Sequence, residues 1–163
     1  MSELLESPSR VPPFVHVAAG KDRDNEYRGL GISTVAFKVT SQDNDGLFVI
    51  EITFQERGGP ARHLHHAQDE WFYCIAGQFI VEVGSERVIM NPGDSLFAPR
   101  NIPHVWSYVG DGGGKMLFAF TPAGQMEAFF RETTKSNSMP PQDPELWQAH
   151  GMKLIGPPLE VEL

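Results

Sequence analysis

Three histidines and one glutamate in this 163-residue chain have the types and spacing of a metal site. His63 and His65 stand two apart in the run Arg62-His63-Leu64-His65, and Glu70 follows after four intervening residues. His104 closes a second block, Pro99-Arg100-Asn101-Ile102-Pro103-His104. Side chains two apart on an extended strand project from one face, so both imidazoles of the pair can point at one ion. Neutral imidazole nitrogens and a carboxylate suit a divalent transition metal: iron, nickel, cobalt, manganese, copper or zinc. Four protein ligands leave one or two positions open in a five- or six-coordinate ion, and a substrate would bind there.

A lone His-x-His pair is common without a metal, so the weight rests on the spacing around it. Gly77 follows Glu70 after six residues, and Gly93 precedes Pro99 with five residues between. With these positions included, the two blocks resemble the motifs of the cupin superfamily, G-x5-H-x-H-x3,4-E-x6-G and G-x5-P-x-G-x2-H-x3-N. The resemblance spans about residues 46–121, and Phe120-Thr121-Pro122-Ala123-Gly124 is similar to the barrel exit of quercetinase-like single-domain cupins. Three positions depart from the pattern. Gly58 precedes His63 by four intervening residues rather than five, which shifts a loop. Asn101 stands at the glycine of the second motif, and Asn tolerates left-handed backbone better than other non-glycine residues. Tyr108 stands where that motif ends in Asn, bringing a phenol in place of an amide. The resemblance implies an all-β jelly-roll barrel, a metal on His63, His65, Glu70 and His104, and a homodimer.

The elements that would position these residues are mostly short strands. Residues 1–45 read as an arm followed by strands at Val11 to Ala18 and Ser33 to Thr40, flanking a polar, turn-rich stretch. The barrel core, 46–121, reads as strands at Leu47–Phe54, Glu70–Ile75, Gln78–Val83, Arg87–Met90, Ser95–Ala98, His104–Tyr108 and Met116–Phe120. Asn91-Pro92-Gly93-Asp94 fits a type II turn, with Pro92 fixing φ and Gly93 supplying the positive one. Beyond the barrel, 122–163 reads as a helical extension and tail. Thr121 and Pro122 offer a cap and first position, and Met126, Phe129 and Phe130 make an apolar stripe expected to pack on the barrel's outside rather than as a lid. Pro144 to His150 fits a short helix, and Pro157-Pro158 an extended tail.

Strand alternation also predicts a pocket. If Glu70 points inward, Phe72 and Cys74 share its face, and His104 likewise brings Trp106 and Tyr108 inward. These four are the expected substrate-pocket residues. Cys74 reads as a small buried hydrophobe rather than a nucleophile, since no base accompanies it. His66 falls off the register, Asp69 faces outward, and His16 and His150 have no companions at ligand spacing; Arg62 and Arg100 flank the motifs, where they could meet an anionic substrate but are expected to be solvated.

Composition narrows the function. The net charge of −8 and the lack of a basic run argue against nucleic acid or an anionic membrane as partner. A single cysteine excludes an internal disulfide, and the polar N-terminus lacks the apolar core of a signal peptide, so a cytoplasmic location is expected. A small molecule, with dioxygen as co-substrate, is the expected partner. The quercetinase-like resemblance implies a dioxygenase on an aromatic enol or flavonol, with Glu70 as the base. An isomerase or lyase using the same enolate, or a sensor without turnover, are the alternatives.

Overall fold

The computed structural model describes residues 14–161. Its strands are β1 (Ser33–Val39), β2 (Phe48–Phe54), β3 (Ala61–His65), β4 (Asp69–Ala76), β5 (Phe79–Val83), β6 (Glu86–Met90), β7 (Ser95–Ala98), β8 (His104–Tyr108), β9 (Gly114–Thr121) and β10 (Met152–Pro158). Two helices, α1 (Met126–Thr133) and α2 (Pro144–Ala149), fall between β9 and β10. Two five-stranded antiparallel sheets face each other, ordered β1-β2-β9-β4-β7 and β10-β3-β8-β5-β6. This is the jelly-roll arrangement, in which each sheet contributes one apolar face to a shared core.

The core follows from strict alternation. In β2, Phe48, Ile50, Ile52 and Phe54 are buried while the residues between them are half-buried. Phe118 and Phe120 of β9 and Phe72 of β4 complete that inner face, and Phe79, Val81 and Trp106 face them from the other sheet. Ring contacts tie the layers together, with Phe54 edge-on to Trp106 at 5.4 Å and Phe118 at 5.0 Å from Trp106.

Tight turns hold the registers. Asn101 takes the left-handed backbone expected of it, at φ 65°, and Gly93 sits at φ 94° with Asp94 N–H donating to Asn91 O. The turn-rich segment before β1 is pinned by Asp22, whose carboxylate accepts from Phe37 N–H at 2.8 Å and Arg28 Nε at 2.9 Å.

Several expectations need correction. Phe14 to Ala18 forms no strand: Lys21 N–H turns back to Ala18 O instead, while residues 11–13 lie outside those described. The barrel is completed by strands from outside 46–121. β1 forms an edge of one sheet, and β10, expected as an extended tail, pairs antiparallel with β3, placing Met152 opposite His65 and Leu154 opposite His63. Thr121 does not cap α1. It remains in the ladder opposite Asp69, and the helix begins later, after Gly124 turns at φ 52°, with Gln125 at the N-cap and no side-chain cap. Asp143 does cap α2, accepting from Glu145 N–H.

Candidate metal centre

His63, His65, Glu70 and His104 converge from three strands and both sheets. β3 carries His63 and His65 on its buried face. β8 lies beside β3 with His104 opposite His63 in register. Glu70 reaches across from β4 in the other sheet, where it pairs with Phe120 and Ala98. One ligand-type atom from each of the four lies within 4.8 Å of the others, and all four residues are buried.

The orientation of these atoms shows what they fit. Glu70 Oε2 is 2.9 Å from His104 Nε2 and 3.1 Å from His65 Nε2. None of the three atoms is aligned for a hydrogen bond, and each is buried without a partner. Unsatisfied polar atoms are costly in an interior, and a shared cation satisfies this set at once. His63 adds a positioned ring: its Nδ1 lies 2.7 Å from Ala61 O, and in the tautomer that donates there Nε2 keeps a free lone pair. The rings pack into a block, His65 parallel to His104 at 5.2 Å and His63 4.5 Å from His104.

Electrostatics agree with a ligand role. Burial makes the His63 ring hard to protonate, and the imidazoles of His104 and His65 add to this, so it stays neutral well below the usual histidine range. For Glu70, burial pushes the carboxyl up, but His104 and His65 outweigh it and hold the group well below the ordinary carboxylate range. Imidazole nitrogens and one carboxylate oxygen are the donor chemistry of a divalent transition ion.

A narrow cavity of about 50 Å³ opens onto the cluster. Besides the cluster, Ser33 is the single polar residue among the described lining, and no lysine or arginine contributes. Trp106 lines the cavity, as alternation predicts. Phe72, Cys74 and Tyr108 point inward but do not line it. Phe72 packs edge-on to His104 at 5.9 Å, and Cys74 is fully buried with Sγ 3.4 Å from Gly77 O. Tyr108 stacks among Phe54 and Phe79 at the far end, its hydroxyl unpartnered. These three support the core; they do not form the cavity wall.

The cavity also uses residues the sequence reading did not place there. Met126, Phe129 and Phe130 of α1 line it, which corrects the expectation that this stripe covers the barrel's outside. Phe130 lies 6.2 Å from Phe48 and 6.1 Å from Phe120, both on the inner face of a sheet. Trp147 of α2 is buried 5.0 Å from both His63 and Phe129. The apolar stripe was the available signal for α1, whereas a six-residue α2 carries no periodicity to reveal Trp147. The other polar candidates lie elsewhere. Arg62 pairs with Glu82, Arg100 makes a two-pronged pair with Asp69, and His66 and His16 are exposed. His150 has Nδ1 2.8 Å from Leu146 O.

Fold and site define a class, and comparison with known proteins agrees. Residues 50–120 match the family described as Cupin domain. It is 28% identical over 136 residues to the quercetin 2,3-dioxygenase of Bacillus subtilis (strain 168), covering 80% of this chain. The match takes in 37% of that protein's length. Among solved structures, KdgF from Halomonas sp. superposes with TM-score 0.54 at 19% identity, covering 61% of this chain and 87% of that one. The nucleoside dehydratase Pac13, solved from Streptomyces with uridine, gives 0.54 at 13% identity, covering 82% and 86%. An RmlC-like cupin from Shewanella frigidimarina gives 0.51 at 24% identity, covering 63% and 87%. At these identities the structural likeness is one of fold. No described helix is long and apolar enough to cross a membrane.

Proposed function

We propose that this cupin is a metal-dependent dioxygenase acting on a flavonol-like aromatic enol, with a divalent transition metal on His63, His65, Glu70 and His104. The observation that carries the reading is the position of the cluster: His63, His65 and Glu70 line a narrow aromatic cavity that offers no lysine or arginine to an anionic substrate, and His104 completes the cluster behind them. The flavonol class comes from the quercetin 2,3-dioxygenase relative.

When bound, a divalent ion supplies Lewis acidity that makes a coordinated hydroxyl easier to ionise. The chain's own residues supply the rest. Glu70, held ionised, accepts the hydroxyl proton of the substrate. Trp106, Phe118 and Phe120 offer flat apolar faces that align an aromatic ring, while Phe129 and Trp147 shut out water. A dry cavity leaves the resulting enolate unsolvated and electron-rich, so it gives electrons to dioxygen. Both oxygen atoms enter the product, the ring opens, and one carbon leaves as carbon monoxide.

The test is oxygen uptake by metal-loaded protein with a flavonol. Equal consumption of flavonol and oxygen, stopping under anaerobic conditions, supports the reading. Product formed without oxygen moves the protein to an isomerase or lyase. Tight binding without turnover under every metal makes it a sensor.

A further inference from the structure

None of the four cluster residues is more than 6% exposed, so a flat ligand reaches them only if a wall moves. One wall is a single layer thick. Met139, Pro140 and Trp147, with Gly59 and Pro60 opposite, line the cavity on its inner side. The same five residues line a second hollow on the outer side, completed by Ala61, Gln142 and Pro158. Gln142 is exposed, so this hollow faces solvent.

The part of that wall between the helices is weakly tied down. Residues 138–142 have no regular secondary structure, and Pro140 and Pro141 have no N–H to donate. Among the described residues their backbone is held by one hydrogen bond, from Trp147 Nε1–H to Pro141 O at 2.7 Å. A second tie lies just before them. Asn137, in left-handed backbone at φ 47°, accepts from Gly31 N–H at 3.3 Å through Oδ1. Its side chain fills the space a Cβ on Gly29 would occupy, which is why that loop carries glycine there. Segments with few hydrogen bonds open at low cost compared with the sheets around them.

We propose that residues 136–142 are a gate, hinged at the end of α1 and the start of α2 and latched by Asn137 to the Gly29–Gly31 loop. Opening lifts Met139 and Pro140 away and joins the outer hollow to the cavity. Metal and a flat, uncharged substrate enter by this route, and the closed gate keeps water from the cluster. The metal half of this inference rests on the metal site proposed above. A gate lies on the path in both directions, so loosening it speeds uptake and release by the same factor and leaves equilibrium affinity unchanged.

Asn137→Gly tests this, since glycine keeps the left-handed backbone and removes only the latch. The first probe is Co²⁺, with its uptake and its extraction by EDTA followed by stopped flow. Both rates should rise about tenfold, the factor one ordinary hydrogen bond supports, with the Kd within about twofold of wild type. The second probe needs no metal. In a Trp71→Phe background the remaining tryptophans are Trp106 and Trp147, which both line the cavity, and acrylamide should quench them more strongly once the latch is removed. Unchanged rates and quenching overturn the gate. Faster extraction matched by an equally weaker Kd also overturns it, because that pattern reports a damaged site. A wild-type protein that takes up no Co²⁺ refutes the metal site instead, and the acrylamide comparison still decides the gate.

Discussion

Replacing His104 with alanine tests the metal site at the position where fold and sequence are most separate. His104 lies 34 positions beyond Glu70 and meets the other residues only because β8 pairs with β3 and sheet faces sheet. Structural four-ligand zinc sites of zinc-finger peptides are worth about 10–16 kcal/mol in total, and by that scale one of four ligands contributes on the order of 3 kcal/mol. That corresponds to a Kd about 10²-fold weaker. Affinity should fall with pH in wild type and variant alike, because imidazole ligands must be deprotonated to bind. The assay is metal content after dialysis, followed by competition against a chelator of known affinity at two pH values. His66→Ala is the control, since His66 is exposed and outside the cluster, and it should bind metal as wild type does. The reasoning fails if His104→Ala keeps wild-type stoichiometry and Kd, or if His66→Ala loses as much.

Other predictions follow from the same geometry. Glu70→Gln keeps shape and one weak oxygen donor but is not basic, so metal should be partly retained while turnover on a flavonol falls by about 10² or more; raising the pH above the substrate's hydroxyl pKa should restore part of the rate. Wild-type activity in that variant would remove Glu70 from both roles. Trp147→Ala empties a buried site against His63 and Phe129 and should cost about 3–5 kcal/mol, lowering Tm by roughly 6–20 °C, whereas Trp147→Phe should recover much of it. Asp22→Asn breaks a buried pair while Arg28 keeps Asp24 and Glu26, so a loss of about 3 kcal/mol is expected in thermal or urea unfolding. Burial pushes the Asp22 carboxyl up, but Arg28 and the backbone donors outweigh it, so its folded value lies below its unfolded one. Its contribution is present above about pH 4 and is lost as pH falls through the lowered value, so the asparagine variant should show a shallower acid limb.

The sequence determined the candidate His63, His65, Glu70 and His104 cluster and the barrel because both are written in short-range patterns. His63-x-His65 shares a strand face by period alone, and the glycines and proline around Glu70 and His104 mark turns that only particular backbone angles allow. Alternation likewise put Trp106 inward correctly, since the period of a strand is two wherever the strand lies. What tertiary structure decided is depth along the barrel and which element covers it. Phe72, Cys74 and Tyr108 obey the same alternation as Glu70 and His104, yet they sit beyond the cavity, because facing inward does not specify the level at which an open space remains. The apolar face of α1 is legible as a face, but whether it meets the barrel's outside or its opening depends on where β9 ends and Gly124 turns the chain. β10 pairs with β3 across more than eighty residues, carrying α2 and Trp147 to His63. That pairing joins residues far apart in the chain, so no local pattern of either strand specifies it.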